Sequence, residues 1–170
     1  IKKCLAFDIP VVCGSTGWTG KLDEMKKMCE ERNGSFVYSS NYSVGVNIFF
    51  EVNKRLATLM APHKEYEVIL EETHHTQKKD APSGTAITIA EQILEQIKRK
   101  KQWVNELSDN PEDLEIISQR IDPAPGTHSV KYSSVIDDIE IIHTAHSRTG
   151  FATGAVLAAE FIKDKKGFFT

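Results

Sequence analysis

IPVVCGSTGWTG, Ile9 to Gly20, is the stretch that decides the fold class. Its β-branched start runs straight into a glycine-rich turn, which reads as a buried parallel strand feeding a tight loop. From Thr19 to Asn33, Leu22, Met25, Met28 and Cys29 fall on one face with Glu and Lys opposite, and Asn33-Gly34 closes the helix this predicts. SFVYSS, Ser35 to Ser40, follows as a second strand. Strand, glycine turn, helix and strand form a βαβ unit, and connection rules put both strands in one parallel sheet.

Downstream the pattern changes. Val44 to Met60 carries Val46, Phe49, Phe50, Leu56 and Leu59 as a helix that stops before Pro62. Glu65 to Glu72 alternates Tyr66, Val68 and Leu70 on one side, a strand that delivers His74 and His75 at its far end. Ala86, Ala90, Ile93 and Ile97 predict a third helix, with Trp103 anchoring its end. After a polar loop from Asn105 to Glu112 come two or three strands, drawn from LEIISQRI, HSVKYSSV and IEIIHTAHS, and a last apolar helix, FATGAVLAAEFI. Strands in a row cannot all be Rossmann-like crossovers. The fold class is therefore α/β, a remnant of a Rossmann-like parallel sheet plus an α+β domain with an open mixed sheet.

Composition removes several function classes. Hydrophobic residues at 40% and charged residues at 26% of 170 suit a soluble globular chain. A formal charge of −3 gives no polyanion-binding field, so nucleic acid is not an expected partner. The one basic run, Lys98 to Lys101, reads as the solvated end of its helix. Cys4, Cys13 and Cys29 are odd in number and lack CxxC spacing, as reduced thiols in a cytoplasmic setting would be. No apolar run approaches a membrane span of about 18 residues, and IKKCLAFDIPVV is not a signal peptide. His143 and His146 are spaced three apart on a strand, lie on opposite faces and are not expected to ligate a metal.

The chemistry concentrates in EETHHTQKKDAPSGT, Glu71 to Thr85. Ser83, Gly84 and Thr85 open a helix, where unpaired N–H groups and the positive dipole end favour a carboxylate or phosphate. Alone, the same residues also read as a simple N-cap. Lys78 and Lys79 add positive charge, and Asp80 can orient a lysine. His74 and His75 point to opposite sides of an extended chain, so one of them at most faces the anion directly, as an acid that titrates near neutral pH.

ETHHTQKKDAPSGTA closely resembles the signature of the bacterial dihydrodipicolinate (4-hydroxy-tetrahydrodipicolinate) reductases. VVCGSTGW, SSNYSVGVN, the Arg120–Gly126–His128 spacing and HSRTGFATGA resemble further family segments in the same order, although Ser15, Asp122 and Pro123 depart from the usual residues. The resemblance implies NAD(P)H-dependent reduction of a cyclic dicarboxylate in lysine biosynthesis, in the cytoplasm, by a homotetramer. It implies that His74 is the general acid and that Lys78 binds a carboxylate and assists. His75, Ser83, Gly84 and Thr85 would hold the dicarboxylate. Gly14, Ser15, Thr16, Ser39, Ser40, Asn41, Tyr42 and Arg148 would contact NADPH or NADH. It further implies a dinucleotide-binding part over 1–42, a substrate and oligomerisation domain over 43–147 and a returning helix over 148–170. The family's Gly-x-x-Gly-x-x-Gly turn has no counterpart here, so an N-terminally truncated reductase is expected. The rival readings are a non-catalytic dicarboxylate-binding or assembly module, and a homoserine- or aspartate-type dehydrogenase, against which the His-His, Lys and PSGT arrangement speaks.

Overall fold

In the computed structural model, which describes residues 1–170, the chain runs α1 (Lys2–Ala6), β1 (Val11–Cys13), a 3-10 turn (Thr19–Lys21), α2 (Leu22–Glu31), β2 (Ser35–Tyr38), α3 (Val44–Met60) and β3 (Glu67–His74). It continues through α4 (Gly84–Gln96), β4 (Gln102–Val104), β5 (Asp113–Arg120), β6 (Thr127–Ser133), β7 (Asp138–Thr144), α5 (Thr149–Ile162) and β8 (Gly167–Phe169). Residues Ile1–Val44 with Thr149–Thr170 form one unit, and Gly45–Arg148 form the other. No helix is long and apolar enough to cross a membrane.

The first unit is built on a parallel sheet in the order β1-β2-β8. Only β2 has a neighbour on both sides, and its Phe36 is fully buried beside Leu5, Met25 and Cys29. Val11 to Cys13 lie at the sheet edge and stay half-buried, which corrects the expectation of a buried strand there. α1 and β8 are too short for periodicity to reveal. Leu5 of α1 nonetheless fills the core, and Gly167 donates its N–H to Gly34 O at 2.7 Å. All three cysteines are free thiols.

The second unit is a mixed sheet in the order β4-β5-β3-β6-β7. β3 sits at its centre, parallel to β5 and antiparallel to β6. α3 and α4 bring Val46, Phe50, Ala57, Ala86, Ile89 and Ile93 onto one face, against Val68, Leu70, Leu114, Ile116, Val130 and Tyr132 of the strands. Buried Asn53 fastens the two helices by donating to Ile89 O and Gln92 Oε1. The basic run is not a solvated helix end. α4 stops at Gln96, Lys100 is buried against Glu67 at 2.9 Å, and Arg99 donates to Tyr66 O at 2.6 Å. Trp103 likewise belongs to β4, where it pairs with Leu114, not to the helix before it. An amphipathic helix pattern could not reveal either fact, because both depend on strands remote in sequence.

Candidate functional site

The site arises where the buried face of the second sheet runs past its apolar cover. Along β3, Val68, Leu70, Glu72 and His74 all face inward, as strand alternation requires. In the neighbouring strands Leu70 lies beside Ile116 and Val130, an apolar row. Two residues further on, Glu72 lies between Ser118 of β5 and His128 of β6, and His74 lies beside Arg120. The sheet register thus converts a hydrophobic layer into a polar one over two residues.

Glu72 is only 1% exposed, and its carboxylate is fully engaged. It accepts the Ser83 N–H at 3.1 and 3.2 Å, the Ser118 hydroxyl at 2.8 Å and the Arg120 guanidinium at 3.1 Å. His74 Nδ1 lies 3.4 Å from one oxygen, without the alignment of a hydrogen bond, and His128 Nε2 lies 3.7 Å from the same one. Burial pushes the Glu72 carboxyl up, but its contacts with His128, Ser83 and Ser118 more than offset this and hold it well below the usual carboxylate range. Glu72, His74 and His128 are grouped closely enough to chelate a cation. Both oxygens already accept, Oε2 from the Ser83 N–H and Oε1 from Ser83, Ser118 and Arg120, and the guanidinium adds a positive charge beside the same carboxylate, which disfavours a second cation.

Arg120 extends this centre to the loop between β3 and α4, donating to Asp80 O at 2.6 Å and Lys78 O at 3.3 Å. Lys78 Nζ reaches both oxygens of Asp80 at 2.9 Å. The start of the loop is fixed by Thr76, whose N–H and hydroxyl both donate to Asp122, one of the residues that departs from the family pattern. Ser83 is the N-cap of α4: its hydroxyl accepts from Ala86 N–H at 3.1 Å and lies 3.2 Å from His128 Nε2. The N-cap reading of PSGT is therefore correct for this side chain, and Ser83 itself is buried. Thr85 is buried as well, and Gly84 is half-buried. His75, just past the end of β3, is half-buried, and its Nε2 receives the Arg148 guanidinium at 2.7 Å.

Burial pushes the His74 imidazole down to about 4; Glu72 draws it upward, while His128, Lys78 and Arg120 push it further down. Between that value and an ordinary 6.5, the unfolded chain binds a proton that the native chain does not. This part of the stability is present above pH 6.5 and is lost as pH falls towards 4. Glu72 adds a loss of the same sign below about 4.5. The midpoint of urea unfolding is expected to fall between pH 7 and pH 5, and His74→Gln is expected to flatten that slope. A slope unchanged in the variant would remove His74 as its source.

In the first unit, Gly14, Ser15 and Thr16 follow β1, while Ser39, Ser40, Asn41 and Tyr42 follow β2. Both loops leave the carboxyl ends of adjacent parallel strands, the edge at which open α/β sheets bind ligands. Tyr42 ties them together by donating to Cys13 O and Val37 O, both at 3.0 Å. A Cβ on Gly14 would come within 3.3 Å of the Tyr42 ring, a tight contact that glycine avoids. Burial pushes the Tyr42 phenol up to about 12, leaving it a neutral donor. Gly154 of α5 packs still closer, since a Cβ there would sit 1.7 Å from Tyr42 O.

Residues 45–170 match the family described as dihydrodipicolinate reductase, C-terminus. The whole chain aligns at 51% identity with the 4-hydroxy-tetrahydrodipicolinate reductase of Christiangramia forsetii, spanning 71% of that protein. The chain belongs to the dihydrodipicolinate reductase family. A second member, the 4-hydroxy-tetrahydrodipicolinate reductase of Methanococcoides burtonii, is 42% identical over 91% of this chain and 62% of its own length. The fold is that of the dipicolinate-bound dihydrodipicolinate reductase of Paenisporosarcina sp. TG-14, with a TM-score of 0.67 at 23% identity over 97% of this chain and 64% of that one.

Within this reductase fold the second unit brings together His74, Lys78 and Ser83, with Gly84 and Thr85 next along α4, and adds Glu72, Ser118, Arg120 and His128. Those four carry no role when the sequence is read alone. Continuing the Val68–Leu70 alternation by two and four residues would have placed Glu72 and His74 on the buried face. Ser118, Arg120 and His128 needed the strand register, which the sequence does not print.

Proposed function

We propose that this chain serves the NAD(P)H-dependent reduction of 4-hydroxy-tetrahydrodipicolinate to tetrahydrodipicolinate, in the diaminopimelate route to lysine. The observation that carries the proposal is a buried histidine, His74, linked through Glu72 to the start of α4 and lying beside a lysine-bearing loop. The dipicolinate named with the Paenisporosarcina sp. TG-14 protein is a planar dicarboxylate of the right class and supports the reading.

The substrate carries two carboxylates. One is held by the N-terminal turn of α4 at Gly84 and Thr85, helped by Lys78, which exchanges Asp80 for the ligand. His75 contributes to the same dianion. Bound negative charge near His74 favours its protonated form and raises its proton affinity from the low value of the empty site. Loss of the hydroxyl as water leaves a conjugated cyclic imine. NADPH or NADH, held by Gly14 to Thr16 and Ser39 to Tyr42, supplies the hydride when bound. The carbon next to the site of addition becomes electron-rich and takes the proton of His74, which is then replaced from solvent. A cytoplasmic homotetramer completes the proposal.

Calorimetric titration with pyridine-2,6-dicarboxylate tests it. The chain is expected to bind, and Lys78→Ala to weaken binding by about 1.5–3 kcal/mol, the worth of a charge-assisted hydrogen bond. A folded chain that does not bind, or a variant that binds equally well, would contradict the assignment of Lys78.

A further inference from the structure

Glu72 is the most engaged side chain of the polar layer, and the reaction as written gives it no task. We propose that Glu72 is a positioning residue, whose fixed carboxylate holds the His74 ring with Nδ1 protonated and so makes Nε2 the atom that carries the transferable proton. This rests on the reading of His74 as the acid.

Three observations converge on it. First, His74 Nδ1 is buried and makes no aligned hydrogen bond, and it faces a Glu72 oxygen at 3.4 Å. A bare nitrogen lone pair there would oppose a carboxylate in a buried, poorly solvated site, whereas an N–H is attracted to it. Second, the carboxylate cannot turn away, because it is held from two separate elements, by Ser83 at the start of α4 and by Ser118 and Arg120 of β5. Third, the neighbour at the opposite edge of the ring is a glycine, which leaves that edge free of any side chain from this position. Gly126 has φ +154, and a Cβ on it would come within 3.1 Å of His74 Nε2 and 3.2 Å of Cδ2.

The proton balance follows. The imidazolium carries a proton on each nitrogen. It gives the Nε2 proton to the substrate carbon and becomes neutral with Nδ1–H still facing Glu72. The opposite choice would leave a bare Nδ1 against the carboxylate, so one direction of transfer is favoured. Glu72 itself keeps its charge throughout, as the orienting carboxylate of a catalytic triad does.

Long-range proton–nitrogen correlation spectra of the chain, labelled with nitrogen-15 at histidine and recorded above the His74 titration, read the tautomer directly. The expected result is Nδ1–H at His74, the reverse of the form that predominates in free histidine. Glu72→Gln is expected to shift the tautomer ratio towards Nε2–H by roughly fivefold or more, since a neutral amide replaces the full negative charge that faces Nδ1. A wild-type His74 in the Nε2–H form overturns the inference, and that readout stands even if the variant does not fold. A folded variant with an unchanged ratio overturns it too. Pyridine-2,6-dicarboxylate added to the same sample separates the two readings. Nδ1–H without binding contradicts the proposed function alone, and binding with Nε2–H contradicts the role of Glu72 alone.

Discussion

Replacing Glu72 by alanine is expected to lower the stability of the chain by about 3–5 kcal/mol, the usual cost of removing one partner from a buried charged cluster. Three donors lose their acceptor at once: the Ser83 N–H, which reaches both oxygens, the Ser118 hydroxyl and the Arg120 guanidinium. Arg120 also holds Lys78 O and Asp80 O, so the loop ahead of α4 loosens with it. The neighbouring Glu71 is the natural control. It points to the exposed side of the same strand, and its alanine variant is expected to stay within about 0.5 kcal/mol of the parent. Urea unfolding of both variants measures the difference. A Glu72→Ala loss no larger than that of Glu71→Ala would show that the layer does not hold the site together.

Replacing His74 by glutamine is expected to reduce turnover by about 100- to 10,000-fold, the usual contribution of a positioned general acid. The loss should fall on kcat, with the affinity for pyridine-2,6-dicarboxylate changed far less, because the carboxylates are held by Lys78 and the start of α4. Consumption of NAD(P)H by a reductase of its relatives' full length carrying these residues is the assay. Lys78→Ala should show the complementary pattern, with a large loss of affinity. A His74 variant that loses affinity and turnover in equal measure would instead make His74 a binding group. The two variants therefore separate proton delivery from anion capture.

Much of the fold was legible because the chain marks its own elements. α3 and the helix that follows PSGT read directly from apolar spacing, and the βαβ start read from IPVVC, the glycine turn and SFVYSS. β4, β8 and α1 were not legible, since three to five residues carry no period, and their partners lie far away in the chain. The candidate site was half legible. His74, Lys78 and PSGT announce themselves by residue type, next to a helix start. Glu72 looks like one more strand glutamate until Val68 and Leu70 are seen to put it inward. Arg120 and His128 become its neighbours only through the register of β3 with β5 and β6. Lys100 shows the reverse error: a basic run looks solvated, yet one of its members is buried and pairs with Glu67.

The most direct measurement is the crystal structure of this chain with pyridine-2,6-dicarboxylate. One carboxylate is expected within hydrogen-bonding distance of the Gly84 and Thr85 backbone and of Lys78 Nζ, with Lys78 released from Asp80 and the His74 Nε2 edge turned towards the ring. A ligand bound elsewhere, with the Lys78–Asp80 pair intact at 2.9 Å, would contradict the account at its centre.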